Sequence, residues 1–413
     1  MMGVVFPFCR LSIDSEVAIW MSTGSLTFTL ASKNRRPSVV SGWDSGKWEE
    51  IDLLITGAIE RGVFPGATVL IADEHRVLYE KSFGFAALYA DERKTRLANP
   101  VPARNDTIYD IASLTKLFTA IAVMKLAEEG EIGLDDPVSR HVPEFGTGGK
   151  EDVTVRQLLA HTGGLPASVH LDLVPGGPAE RVKVALSCPP AAKPGTLMVY
   201  SDLGYIVLGE LVKQVSGKSL DRFLEEFVFE PLELCSTMFC PPASLAERIA
   251  ATEVQLHTGR GLVWGEVHDE DAWALGGVAG HAGVFSTARD LATVASLFLN
   301  GGSRNGKRIL RPDTVREMVR LQTNGIPGAF RGLGVELNRG YYMGPFADLM
   351  TCGHTGFTGT SLFVSLRHRI MVVLLTNRVH PVRTGPNVSE VRRKLAELVF
   401  TAMERDTVVP THA

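Results

Sequence analysis

The sequence predicts a mixed α/β protein of the α+β kind. An antiparallel sheet is flanked by helices from both chain ends, and a helical domain is inserted between them. Three observations carry this expectation. Strand-like stretches cluster near 66–86 and 361–377, towards the two ends. The long stretch between them reads as short helices broken by Gly and Pro. Amphipathic helices stand just outside both strand clusters. The expected division is an N-terminal extension over 1–45, a discontinuous α/β domain over 46–110 and 265–405, a helical domain over 111–264, and a tail over 406–413.

In chain order, "KWEEIDLLITGAIERG" (47–62) places Ile51, Leu54, Ile55, Ala58 and Ile59 on one helical face. "GATVLIADEHRVLYEKSFGFA" then reads as two strands joined at Asp73–Arg76. Residues 91–107 are polar with two prolines and read as a loop. From 113 to about 129 the pattern is helical and apolar nearly all round, which implies a buried helix. "LGYIVLGELVKQVSG" and "SLDRFLEEFVFEPL" are the clearest helices of the middle. "STARDLATVASLFLNGG" (286–302) is another, with Ser286 or Thr287 as N-cap and glycines as its stop. "SLFVSL" and "IMVVLLTN", joined by "RHR", make a hairpin. The closing helix keeps Val388, Val391, Leu395, Leu398 and Ala402 in step.

Bulk properties exclude several classes. The 413 residues carry a net charge of −4, with 45% hydrophobic and 21% charged. A nucleic-acid binder would show a basic stripe, and none is present. No apolar run approaches the roughly 18 residues needed to span a bilayer. The N-terminus has no basic start followed by a clean apolar core, so it reads poorly as a signal peptide and favours a cytoplasmic protein. The five cysteines, Cys9, Cys188, Cys235, Cys240 and Cys352, are scattered without a CxxC pair. A disulfide framework is not expected; Cys235 and Cys240 are near enough in sequence to pair, but buried free thiols are the simpler reading. No ligand cluster points to a metal, and no cofactor is expected.

The chemistry centres on "IASLTKLFTA" (111–120). Lys116 is the sole lysine of the chain with a serine three residues before it, Ser113. A serine hydroxyl is a weak nucleophile until something takes its proton, and a lysine at i+3 on a helix lies on the same face within reach. Burial and the helix N-terminus would lower the lysine pKa towards that of a base. An isolated SxxK is more often an N-cap beside a surface charge. Further groups must therefore be found, and two stretches supply them. "VYSDLGY" (199–205) is a Tyr–Ser–Asp turn ahead of a helix, and "GHTGFTGTS" (353–361) is a Gly-rich turn running into a strand.

Taken in order, these three motifs resemble those of the serine β-lactamase and penicillin-binding protein superfamily. The closest similarity is to class C β-lactamases, D-alanyl-D-alanine carboxypeptidases and family VIII esterases. "LLAHTGGLP" (158–166) and "GGVAGHAGVFSTARDLA" (276–292) resemble its connecting segments, so the likeness covers about residues 47–405. It implies a β-lactamase-like fold and a serine hydrolase working through a Ser113 acyl-enzyme on a small ester, amide or D-amino-acid peptide. Lys116 and Tyr200 would share the proton work. His354 would take the place of the third motif's lysine, with Gly356 beside it. The backbone N–H groups of Ser113 and Phe357 would form the oxyanion hole. A second His-Thr-Gly begins at His161, where a structural role is expected; His268 and His281 would either line the cleft or satisfy local backbone.

Two departures bear on substrate. The second motif ends in Asp202 where the family has Asn, and an ionised Asp202 would keep Lys116 charged. That charge would in turn depress Tyr200 and make it the main base. The third motif has His354, mostly neutral near pH 7, in place of a fixed charge. Both changes lean towards neutral ester or amide substrates. The alternatives are acyl transfer on the same scaffold, or a non-catalytic penicillin-binding-like receptor, against which the intact Ser/Lys/Tyr set argues. Neither GxSxG nor HExxH occurs, which disfavours an α/β-hydrolase and a zinc hydrolase. Oligomeric state is not legible.

Overall fold

The computed structural model describes residues 45–404. The N-terminal extension up to residue 44, including Cys9, and the tail 406–413 lie outside the described residues.

Helix α1 (Ser45–Glu60) opens the chain and is followed by strands β1 (Gly66–Asp73), β2 (Val77–Tyr89) and β3 (Arg96–Pro102). Helices α2 (Thr115–Glu129), α3 (Asp202–Ser216) and α4 (Ala288–Leu299) come next. Strands β4 (Glu336–Leu337), β5 (Thr351–Thr355), β6 (Ser361–Ser365) and β7 (Ile370–Thr376) then lead to helix α5 (Ser389–Glu404). One seven-stranded sheet runs β4-β5-β6-β7-β1-β2-β3. Its centre is the antiparallel pairing of the two chain ends, with Val69 opposite Leu374 and Ile71 opposite Val372.

Both faces of this sheet are covered. Alternation along β1 sends Ala67, Val69 and Ile71 into a core shared with Ile51, Ile55 and Leu395 of α1 and α5. Leu70 and Ala72 join the larger core on the opposite face, where α2, α3 and α4 lie. That is why "IMVVLLT" reads as a continuous apolar run: β7 is buried along its whole length. α2 is buried at eleven of its fifteen positions, so its lack of a polar face reflects a central position and not a membrane span. Among the described residues, no helix is long and apolar enough to cross a membrane.

The structure departs from the sequence reading in three places. Residues 96–102, expected as loop, form β3; the strand lies at the sheet's outer edge, where a proline's missing N–H costs no ladder bond. The stretch expected to be helical also holds short strand pairs at 254–255 and 261–262. Of the two caps expected for α4 it is Thr287 that serves, accepting from the Asp290 amide, while Ser286 ends a short strand. Finally, Cys240 is an exposed free thiol, so it does not pair with Cys235, which is engaged in a disulfide.

Candidate active site

Ser113 sits in a single 3-10 turn, Ala112–Leu114, directly ahead of α2. Its position is set from several sides. Ala112 takes a left-handed φ of 48°, a costly conformation for a residue with a Cβ. It is held there by its own N–H, which donates to Asp110 Oδ1 at 2.8 Å. The Ile111 amide donates to the Val284 carbonyl, and its carbonyl accepts from Thr360 Oγ1 at 3.0 Å. Gly356 packs against the same segment: a Cβ there would lie 2.5 Å from the Ile111 carbonyl oxygen and 2.1 Å from Thr360 Oγ1.

One turn on, Lys116 is fully buried. Its Nζ donates to Ser113 Oγ at 3.0 Å and to the His281 carbonyl at 3.1 Å, and lies 2.7 Å from Asp202 Oδ1. Asp202 is the first residue of α3, whose N-cap Ser201 accepts from the Gly204 amide, so the helix start fixes Asp202 and Tyr200 together. Burial works against the Lys116 ammonium. The Asp202 carboxylate, and after it the Tyr200 oxygen, outweigh that penalty and hold Lys116 above the ordinary lysine value.

The half-buried Tyr200 ring lies beside Lys116, whose Nζ is 4.8 Å from its centroid. Its expected depression is not found. Lys116 pulls it down, but burial is the larger effect and Asp202 adds to it, so Tyr200 stands above the usual tyrosine value and rests as a phenol. His161 packs 4.6 Å from the Tyr200 ring, and its Nδ1 accepts the Ser201 N–H at 3.0 Å. This second His-Thr-Gly therefore supports the Tyr200 turn.

His354 lies on β5, paired with Leu362 of β6. The ring is buried, and Nδ1–H donates to the Thr355 carbonyl at 2.8 Å. Burial is the main cause that brings its pKa to about 4, with Arg331 and Lys116 adding to it against the pull of Glu336. At neutral pH it carries no charge.

Ser113, Tyr200, His354, Gly356 and Phe357 line one cavity of about 530 Å³. Lys116 and Asp202 stand behind Ser113 rather than on that wall. Neither His268 nor His281 puts its ring into the cavity. His281 contributes its carbonyl to Lys116, while the His268 ring bonds Glu253 at 3.0 Å and stacks on Phe357.

The sequence reading missed the cavity's charged wall. Arg331, Arg378 and Arg392 all line it. Arg331 is paired with the buried Glu336 at 3.0 Å. Arg392 is only 7% exposed. It donates to the Gly356 and Thr360 carbonyls at 3.2 and 2.7 Å, and its Nε is buried without a partner. Arg378 Nε donates to the Phe357 carbonyl at 3.1 Å. Among the described residues neither Arg378 nor Arg392 has a carboxylate at ion-pair distance. The arginines come from 331, 378 and 392, and no local spacing in the sequence marks them as neighbours of Ser113.

A serine with a buried lysine on its hydroxyl and a tyrosine on the same cavity wall, beside a strand bearing His-Thr-Gly, is a constellation for acyl transfer. Comparison with known proteins agrees with it. Residues 51–397 match the family described as Beta-lactamase. The chain belongs to the beta-lactamase family. It is a serine hydrolase of that family, with the β-lactamase-like fold. It is 32% identical over 379 residues to a Salmonella agona (strain SL483) protein named "Putative D-alanyl-D-alanine carboxypeptidase", covering 84% of this chain and 86% of that one. A family VIII carboxylesterase structure superposes with a TM-score of 0.65 at 25% identity, over 87% of this chain and 99% of the other. EstCE1, a hydrolase with promiscuous acyltransferase activity, gives 0.64 at 23% identity, over 84% and 99%; this last likeness concerns the fold.

Proposed function

We propose that this beta-lactamase-family enzyme hydrolyses a small ester or amide that carries an anionic group, of the D-peptidase type, through an acyl-enzyme on Ser113. The observation that carries the mechanism is Lys116 Nζ at 3.0 Å from Ser113 Oγ and 2.7 Å from Asp202 in a buried site. Ser113 Oγ attacks the substrate carbonyl. Its proton passes to the Tyr200 oxygen as the Tyr200 phenolic proton passes to the leaving group, so no free phenolate accumulates. Lys116, kept charged by Asp202, stabilises the negative charge that develops along this path. The Ser113 and Phe357 backbone N–H groups receive the oxyanion, each such donor being worth about 3 kcal/mol. Water then repeats the relay through Tyr200 to release the acid.

The anionic preference rests on Arg378 and Arg392, two guanidiniums facing the cavity without carboxylates of their own. They can supply the charge that His354 lacks, and guanidinium geometry suits a carboxylate. A neutral-ester reading is favoured by one observation, the uncharged His354.

The test compares p-nitrophenyl butyrate, a chromogenic cephalosporin and an acyl-D-Ala-D-Ala peptide, with wild type and Ser113→Ala. Turnover of the peptide above the ester, lost in Ser113→Ala, is expected. Ester turnover with none of either anionic substrate would favour the neutral-ester reading. A serine other than Ser113 carrying the acyl group would refute the mechanism.

A further inference from the structure

Behind the cavity, residues 268 and 269 are tied to both members of the Ser113–Lys116 pair. Asp110 is 2% exposed and has no cation at ion-pair distance among the described residues. Its two oxygens accept two separate backbone amides, Oδ1 from Ala112 at 2.8 Å and Oδ2 from His268 at 2.7 Å. The first bond holds the left-handed residue just before Ser113. The second fixes the start of the 268–269 segment. Asp269 then bonds the buried His281 ring, Oδ1 to Nε2 at 2.8 Å, and the His281 carbonyl accepts Lys116 Nζ at 3.1 Å. The His268 ring meanwhile lies 5.6 Å from the Phe357 ring.

We propose that Asp110 and the Asp269–His281 pair form a brace whose task is to hold Ser113 and Lys116 at reacting distance. Asp110 and His281 are thus positioning residues. This rests on the reading of Ser113 as nucleophile and Lys116 as its partner. A buried carboxylate without a cation is expensive to keep. Here it satisfies two amides that a single hydroxyl or amide side chain could not both reach as acceptor. The strained turn at Ala112 persists because these contacts over-determine it. Asp110 fixes the turn from below, and His281 fixes the lysine from the side, through consecutive residues of one segment. Small misplacements of reacting groups cost large factors in rate.

The experiment is a double-mutant cycle. Asp110→Asn keeps the shape but offers one acceptor oxygen for two N–H groups. His281→Ala keeps the carbonyl and removes the ring that anchors it. Each is made in wild type and in Lys116→Ala, and the rate of Ser113 labelling by a fluorophosphonate is followed by mass, well below each variant's melting temperature. Each variant should slow labelling by about tenfold or more with Lys116 present, and by less than about twofold once Lys116 is gone. Equal losses in both backgrounds would mean a purely structural role and overturn the brace, as would no loss in either. If Asp110→Asn does not fold, His281→Ala decides alone. Failure of wild type to label at Ser113 would instead overturn the nucleophile assignment on which the brace rests.

Discussion

Asp202→Asn restores the amide usual in this family and removes the charge that sets Lys116. At 2.7 Å, Coulomb's law gives a gross attraction of about 6 kcal/mol for an effective dielectric near 20. Asp202 keeps 29% of its side chain exposed, so water offsets part of this. An opposite charge this close moves a titration by about one to three units. In wild type, burial is overcome and Lys116 lies above the ordinary lysine value; in the variant burial acts nearly unopposed and the value falls. If the ammonium is the working form, kcat/KM is lost as pH rises through that value. The alkaline limb should therefore move down by at least about one unit, equivalent to about 1.4 kcal/mol. The assay is kcat/KM for a base-stable alkyl ester between about pH 5 and 11, which reports the free enzyme. Stability gives a second reading of the same sign. A raised Lys116 contributes stability below its unfolded value that is lost as pH rises through the folded one. In Asp202→Asn the depressed lysine costs stability at neutral pH, and the deficit shrinks as pH rises towards about 10.4. An alkaline limb that stays in place would refute the claim that Asp202 governs Lys116.

Other perturbations test separate parts of the site. Tyr200→Phe removes the proton relay and should slow acylation by about 10²–10⁴-fold with little change in melting temperature, measured by stopped-flow burst kinetics. Gly356→Ala puts a methyl against the Ile111 carbonyl and Thr360; it should destabilise by about 1–3 kcal/mol in calorimetry and slow Ser113 acylation as well. The His354 imidazole should titrate near the value of about 4 that burial imposes, so its NMR shift should stay flat above about pH 5.5. Arg378→Met and Arg392→Met should each raise KM for a carboxylate-bearing substrate by about tenfold more than KM for an uncharged ester, since both also hold the backbone of the 356–360 turn.

The sequence made legible whatever follows from spacing along one element. Ser113 and Lys116 share a helix face, Tyr200 and Asp202 share a helix start, and His354 and Gly356 share a strand end; the structure brings all three together. What it hid depends on contacts across the chain. Arg392 reaches the cavity from α5, Arg378 from the segment after β7, and Asp110 meets His268 across 158 residues. β3 was hidden for a different reason: its prolines argue against a strand unless one knows that it is an edge. The direction of the Tyr200 shift likewise turns on burial, which opposes the nearby lysine and which a pattern of residue types does not measure.

The central pairing of β1 with β7 has a consequence for how the enzyme comes into being. Ser113 and its helix emerge early in synthesis, yet Thr358 and Thr360, which bond the Asp110 and Ile111 carbonyls, leave the ribosome some 250 residues later. Val69 must likewise wait for Leu374. A nascent chain halted before β6 would carry its serine and lysine without the strands that hold their turn in place. Contacts so distant along the chain slow folding, and the geometry of the Ser113 turn is complete only once almost all of the chain has been made.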